Sequence, residues 1–275
     1  MLPNLAAQPL YAPIAGLAAE LLSPDGLPGI DRLNAYGRAA GLVCGGRPLR
    51  FVAPGGGALA YEERAYRQGE VETRPGNWHD FFNAVAWLSF PRTKDVFNRR
   101  HHRARSAQVA PRQRGALRDA LTQFDECGAV VVSDDRTLWD DLCGHRWRRL
   151  FWERRAEVAA RLRVVVFGHA SYDLLRAPHP GLCAKAVFLR CPGAWLDMPM
   201  SSLLGRLDER LARHFSDADD LAPRHFQPLP LLGVPGAAPG NAAPDYYDDI
   251  RQFRPRRAAG GRKEADRAVI VAVRP

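Results

Sequence analysis

No stretch of this chain stays apolar for the eighteen or so residues that a membrane-spanning helix needs. The five cysteines, Cys44, Cys127, Cys143, Cys183 and Cys191, are odd in number and never form C-x-x-C. That pattern argues against a disulfide framework and a thiolate zinc site. The N-terminus has no basic region followed by an unbroken apolar core, and Pro9 and Pro13 interrupt its mild hydrophobicity. It is a poor secretory signal. With the scattered cysteines, this leads to the expectation of a reduced, cytoplasmic, soluble protein.

Several chemical templates are missing as well. Gly55-Gly56-Gly57 lacks both the G-x-G-x-x-G spacing and a following Gly-Lys-Ser/Thr, so dinucleotide and P-loop binding have no support. Gly168-His169-Ala170-Ser171 has the wrong residue order for a G-x-S-x-G nucleophile elbow. Neither H-E-x-x-H nor zinc-finger spacing occurs.

What is present begins with an uneven charge. The net charge is +9, and nine Lys/Arg fall between Arg92 and Arg118 with Asp95 as the single acid. A block of this kind suits a phosphate backbone or another anionic surface, and equally a solvated helical face. Arg92 and Arg99 lie within it, as do His101 and His102.

The densest aromatic patch is Asn77-Trp78-His79-Asp80-Phe81-Phe82-Asn83-Ala84-Val85-Ala86-Trp87, directly after the break at Pro75-Gly76. Trp78, Phe81, Phe82, Val85 and Leu88 recur at helical spacing and define a buried face. Asn77 is placed as N-cap, with Asp80 at N3. His79 and Asn83 are four residues apart, so they are neighbours on one flank. The positive end of the helix dipole favours neutral imidazole, the form that binds metals or accepts a proton. Capping and core packing account for the same residues without any chemistry.

Phe90-Pro91 ends this helix and opens the basic one, and a third helix around Leu117, Leu121 and Phe124 is expected to close at Gly128. Buried strands are expected at Ala129–Ser133, Arg163–Phe167 and Lys185–Arg190, with helices between them. Strands joined by helical crossovers are usually parallel. The fold class is therefore α+β or α/β: a helix-rich single domain over 1–255 around a small, at least partly parallel sheet. A Pro/Gly-rich arm from Ala222 to Pro244 lies over the body, and a flexible basic tail is expected over 256–275.

The stretches Y-E-E-R, N-W-H-D-F-F-N-A-V-A-W-L-S-F-P-R-T-K, F-D-E-C-G-A-V-V-V-S-D-D, L-F-W-E-R-R, F-G-H-A-S-Y-D and G-V-P-G, from about Tyr61 to Phe253, together resemble one family. It is the proteobacterial family of the domain of unknown function numbered 3025. The resemblance implies one domain without a separable module, and it brings no activity, cofactor or catalytic residue with it.

If Ala129–Ser133 and Arg163–Phe167 run parallel, Asp134 and Asp135 leave one strand at the same sheet edge where His169 leaves the other. Two carboxylates and an imidazole would then converge as ligands of a divalent metal that activates water. Two functional readings follow. In the first, a metal-assisted hydrolase uses Asp134, Asp135 and His169 as metal ligands and His79, Asp80 and His169 as catalytic groups. Asn83 and His101 flank the site, and Arg92 and Arg99 hold a phosphate-containing substrate. It requires His79 and His169 to share a cleft within about 12 Å. In the second, a non-catalytic protein binds nucleic acid or an acidic partner through 92–118, which requires those Arg side chains to be available.

Overall fold

The computed structural model of the chain describes residues 8–55, 59–106 and 115–256, and the backbone of Val269–Ile270. Its centre is a sheet in the order β6-β5-β7-β8, made of β5 (Gly128–Ser133), β6 (Leu162–Val166), β7 (Cys183–Arg190) and β8 (Gln227–Pro230). A two-residue strand, β9 (Val269–Ile270), pairs with β7. The smaller strands β1 (Val43–Cys44), β2 (Arg47–Pro48), β3 (Arg50–Val52) and β4 (Glu70–Glu72) form two separate pairs near the N-terminus. The remaining tail expected over 256–275 lies outside the described residues, apart from Arg256.

Every residue of β5 is buried, because helices cover both faces of the sheet. The two-residue period of a strand sends alternate side chains to opposite sides. Ala129 and Val131 join a core with Phe82, Trp87 and Trp139, whereas Val130 and Val132 join a second core with Phe97, Phe124 and Phe215. The first core lies under α1 (Ala15–Leu21), α2 (Ile30–Ala39), α4 (Trp78–Ser89) and α7 (Arg136–Cys143). The second lies under α5 (Pro91–Ser106), α6 (Ala116–Cys127) and α10 (Met200–Asp217). The Pro/Gly-rich arm is packed: Leu229, Leu231, Leu232 and Val234 are buried against the first core.

The helices obey local rules. Asn77 caps α4 through its side-chain oxygen, which accepts from the Asp80 amide at 3.0 Å. From Asp80 to Trp87 every residue of α4 is buried, so this helix is enclosed rather than amphipathic. Pro91 opens α5, and the carboxylate of Asp208, on α10, accepts from the Arg92 and Thr93 amides at 3.0 and 2.9 Å. Gly128 departs from the expected left-handed helix end: it has φ −70° and begins β5. Its missing side chain matters because a Cβ there would collide with Phe124.

The strand directions correct one expectation. β5 and β7 are parallel, which makes the sheet partly parallel, but β5 and β6 are antiparallel, with Ala129 opposite Val166 and Ser133 opposite Leu162. The cause is a set of bonds between the residues that bracket the crossover. Arg161, just before β6, pairs with Asp134 at 3.0 Å and Asp135 at 2.8 Å, just after β5. Ser133 Oγ also donates to the Arg161 carbonyl at 2.6 Å. A helical excursion made of α7, a π-turn at Arg149–Glu153 and α8 (Arg155–Arg161) thus returns to the edge it left. β6 must then run back along β5.

Candidate functional site

Because β6 runs antiparallel, its end arrives beside the start of β5. The amides of Phe167 and Gly168 both donate to the Gly128 carbonyl at 2.9 Å. Gly168 sits against the main chain of Glu126 and Cys127, where any Cβ would collide. This close approach sets His169, the first residue of α9 (His169–Leu174), against the last turn of α6, which carries Glu126. The first turn of α4 packs on α9 and supplies His79.

The rings of His79 and His169 lie edge to face with centroids 4.6 Å apart. Glu126 Oε2 is 3.6 Å from His169 Nε2. One donor atom from each of His79, Glu126 and His169 can be chosen so that all three lie within 4.8 Å of one another. Burial drives the His169 pKa down to about 3, with the Asp125 carboxylate only partly opposing it. Its imidazole is therefore neutral, with a lone pair to offer, at any ordinary pH. Burial raises the Glu126 carboxyl above its usual range, and the neighbouring Asp125 charge adds to that.

These three residues open on a cleft of about 380 Å³, whose wall also includes Tyr61, Asn98, His101 and Thr122. Asn98 Oδ1 and Thr122 Oγ1 are buried and make no hydrogen bond to the described residues, so a bound ligand would find acceptors there. The floor beneath is a closed polar network. Lys94 Nζ, with a side chain 1% exposed, contacts both Asp125 oxygens at 2.6 and 2.8 Å and the Asn83 oxygen at 3.0 Å. Asn83 donates in turn to the Tyr61 hydroxyl at 2.8 Å. Burial opposes the Asp125 charge, but Lys94 outweighs it and holds that carboxyl below its ordinary value. Asp125 is thereby engaged, and Glu126 is left as the carboxylate facing the imidazoles.

The other expected site residues fall in different places. Asp134 and Asp135 do not join His169. They stand at the opposite end of the six-residue strand β5, five strand steps or roughly 17 Å away, and both pair with Arg161. Asp135 also caps α7 by accepting from the Thr137 amide. The antiparallel pairing of β5 with β6 overturns their assignment as ligands beside His169. Asp80 reaches the cleft wall, but Arg74 holds it through its main-chain amide and two guanidinium nitrogens at 2.7–2.8 Å. Burial works against that carboxyl's charge, yet the Arg74 contacts keep it below its usual range, so it makes a poor base. Asn83 and His101 both line the cleft.

Arg92 and Arg99 stay away from it. The Arg92 amide is held by Asp208, and Arg99 pairs with Asp95 at 2.6 Å. Most of the described basic block serves the fold in this way. Arg100 donates to the Phe215 and Ala218 carbonyls at the end of α10, Arg105 pairs with Glu63, and Lys94 lies in the floor. Arg112 and Arg114 lie outside the described residues. His102 stacks on Tyr66 at 4.3 Å instead of entering the cleft.

Glu126 is the residue the sequence reading missed. Its signal was topological: it stands two residues before β5, at the end opposite Asp134 and Asp135.

The profile of the family described as "Protein of unknown function (DUF3025)" matches residues 49–257, more than half of the chain. The chain belongs to this family. No curated protein matches it. No solved structure matches it either. The matched region contains all of α4, α6 and α9, so His79, Glu126 and His169 belong to the family's own domain. Among the described residues, no helix is long and apolar enough to cross a membrane.

Proposed function

We propose that His79, Glu126 and His169 bind one divalent metal ion, and that the protein is a metal-assisted hydrolase acting in the cleft above it. The carrying observation is the approach of two imidazoles and one carboxylate to within 4.8 Å of each other at a cleft wall. Two His and one carboxylate are a common catalytic donor set, which leaves a coordination position open. Tetrahedral zinc spaces its donors roughly 3.3 Å apart, so binding requires a contraction of up to about 1.5 Å from the 4.8 Å spacing. Glu126, with a side chain 42% exposed, has the freedom to make it.

A divalent ion at this position would polarise a substrate oxygen and acidify a bound water toward neutrality. The chain's own contribution is geometric. α4 and α9 fix the two imidazoles against each other, the Lys94–Asp125 pair keeps Asp125 out of competition, and Asn98 and Thr122 present buried acceptors to the substrate. The charge of the wall does not favour a phosphate-containing substrate. It carries Glu62, Glu72, Asp80, Asp125 and Glu126 but only Arg74 among basic residues of fixed charge. The reading therefore takes a neutral or cationic hydrolysable group.

Equilibrium dialysis of the purified protein against Zn²⁺, Mn²⁺ or Co²⁺, followed by elemental analysis, tests this. One ion per chain is expected, with loss of binding in His79→Ala, His169→Ala and Glu126→Gln. A wild-type protein that retains none of these ions ends the proposal.

A further inference from the structure

A second cleft, of about 510 Å³, lies at the other end of β5, between α7 and the π-turn. Its lining is unlike that of the first. Arg136, Arg146, Arg149, Arg154 and Arg256 line it together with the acids Asp140 and Asp141. Asp141 is 2% exposed and serves as a shared anchor. Its Oδ1 takes Arg146 Nε at 2.6 Å and Arg149 Nε at 3.4 Å, and its Oδ2 takes Arg154 Nη1 at 2.8 Å. Both carboxylate oxygens are therefore occupied, and Arg146 Nη2 also donates to the Asp140 carbonyl at 2.9 Å, which leaves its Nη1. Arg154 is further engaged by Glu157 and Asp135, whereas Arg146 and Arg149 stay 48% and 59% exposed. Among the described residues, the two Nη groups of Arg149 have no hydrogen-bond partner.

The backbone around this anchor is irregular in two ways. His145, in the turn before Arg146, is the one non-glycine residue with positive φ among the described residues, at 52°. Its ring is held by the Arg254 carbonyl at 3.1 Å, which also accepts from Trp147 Nε1 at 2.8 Å. The segment Arg149–Glu153 is a π-turn, a local widening that recurs at binding sites. Together these place Arg136 from α7, Arg146 from the turn and Arg149 from the π-turn around one cleft. Convergence from three directions suits a tetrahedral oxyanion better than a flat carboxylate.

We propose that this cleft binds the phosphate group of a small phosphorylated molecule, with Arg146 and Arg149 as the main contacts and Asp141 as the residue that positions them. A cleft of this volume fits a small molecule. The site is independent of the His79–Glu126–His169 cluster and does not require it to bind metal.

Isothermal titration of the full chain at low ionic strength tests the proposal, with inorganic pyrophosphate as one probe and a short oligonucleotide lacking terminal phosphates as the other. Pyrophosphate is expected to bind once per chain and to weaken with added salt. Arg149→Ala and Arg146→Ala should each weaken it by about tenfold or more, with Arg149→Lys intermediate. Arg213→Ala, on α10, and Glu126→Gln should bind as wild type does. Arg149 is largely exposed, so its variants keep the fold, and a thermal melt checks this. Four results would each overturn the proposal: no pyrophosphate binding at millimolar concentration, unaltered affinity in both Arg variants, loss in Glu126→Gln instead, or binding of the oligonucleotide alone.

Discussion

The two ends of β5 carry similar residue types and do opposite things with them. At the C-terminal end, Asp134, Asp135 and Asp141 meet Arg146, Arg154 and Arg161, and the carboxylates are consumed in holding α7, the π-turn and α8 to the sheet. At the N-terminal end, Asp125 has Lys94, while Glu126 has only the His169 imidazole within ion-pairing distance among the described residues. A carboxylate surrounded by Arg is a fold element. A carboxylate beside neutral imidazole is a donor looking for a cation. The difference lies in the counter-charge that the fold supplies, not in the acids themselves.

The contrast predicts where substitutions cost stability. Lys94→Met should have the largest effect. It leaves Asp125, 20% exposed, with no cation beneath α6, at a cost of about 3 kcal/mol, the lower end for breaking a buried pair. Urea denaturation would measure it; a change under about 1 kcal/mol would show the floor to be wetter than its geometry implies. At the other end, Arg154→Met removes one partner from each of Asp135 and Asp141, both of which keep another Arg. A loss of about 1–2 kcal/mol is expected in the same assay. A larger loss than that of Lys94→Met would reverse the ranking of the two ends.

The pH dependence of stability separates the ends further. His169 has its folded-state pKa lowered from 6.5 to about 3. Below pH 6.5 the unfolded chain takes up a proton that the folded one refuses, so stability falls as pH drops through that window. The slope from this one group approaches 1.4 kcal/mol per pH unit. Asp80 and Asp125, whose pKa values are held low, contribute stability that disappears only at more acidic pH. Denaturation between pH 6.5 and 5, in chelator, should therefore show a slope that His169→Gln flattens. An unchanged slope would mean that His169 is not buried neutral. The smallest stability effect belongs to Glu126→Gln, under about 0.5 kcal/mol, because its side chain is 42% exposed. That same change should remove metal binding altogether.

Much of this was legible in the chain itself. The capping at Asn77, the start of α5 at Pro91, the buried runs that became β5, β6 and β7, and the pairing of His79 with Asn83 on one flank all follow from local rules. Strand direction does not. β5 and β6 are apolar and buried whether they run parallel or antiparallel, and a crossover containing helices suggests the former. The deciding contacts, Arg161 to Asp134 and Asp135, join residues more than twenty-five positions apart, and the same acids read equally well as metal ligands. A parallel β6 would place the end of that strand at the C-terminal end of β5. There Asp134 and Asp135 were visible and Glu126 was not. The basic block misled for a related reason: composition counts charges but cannot show that Asp95, Glu63 and the carbonyls ending α10 engage them. The positive cleft lies instead around Asp141.

The most direct test asks which end of β5 receives a metal ion. Paramagnetic Mn²⁺ or Co²⁺, added substoichiometrically to ¹⁵N-labelled protein, broadens the amides nearest the bound ion. The account predicts selective loss of signals around His79, Glu126 and His169, with those of Asp134, Asp135 and Asp141 spared. Broadening centred on Asp134 and Asp135, or none at either end, would contradict it.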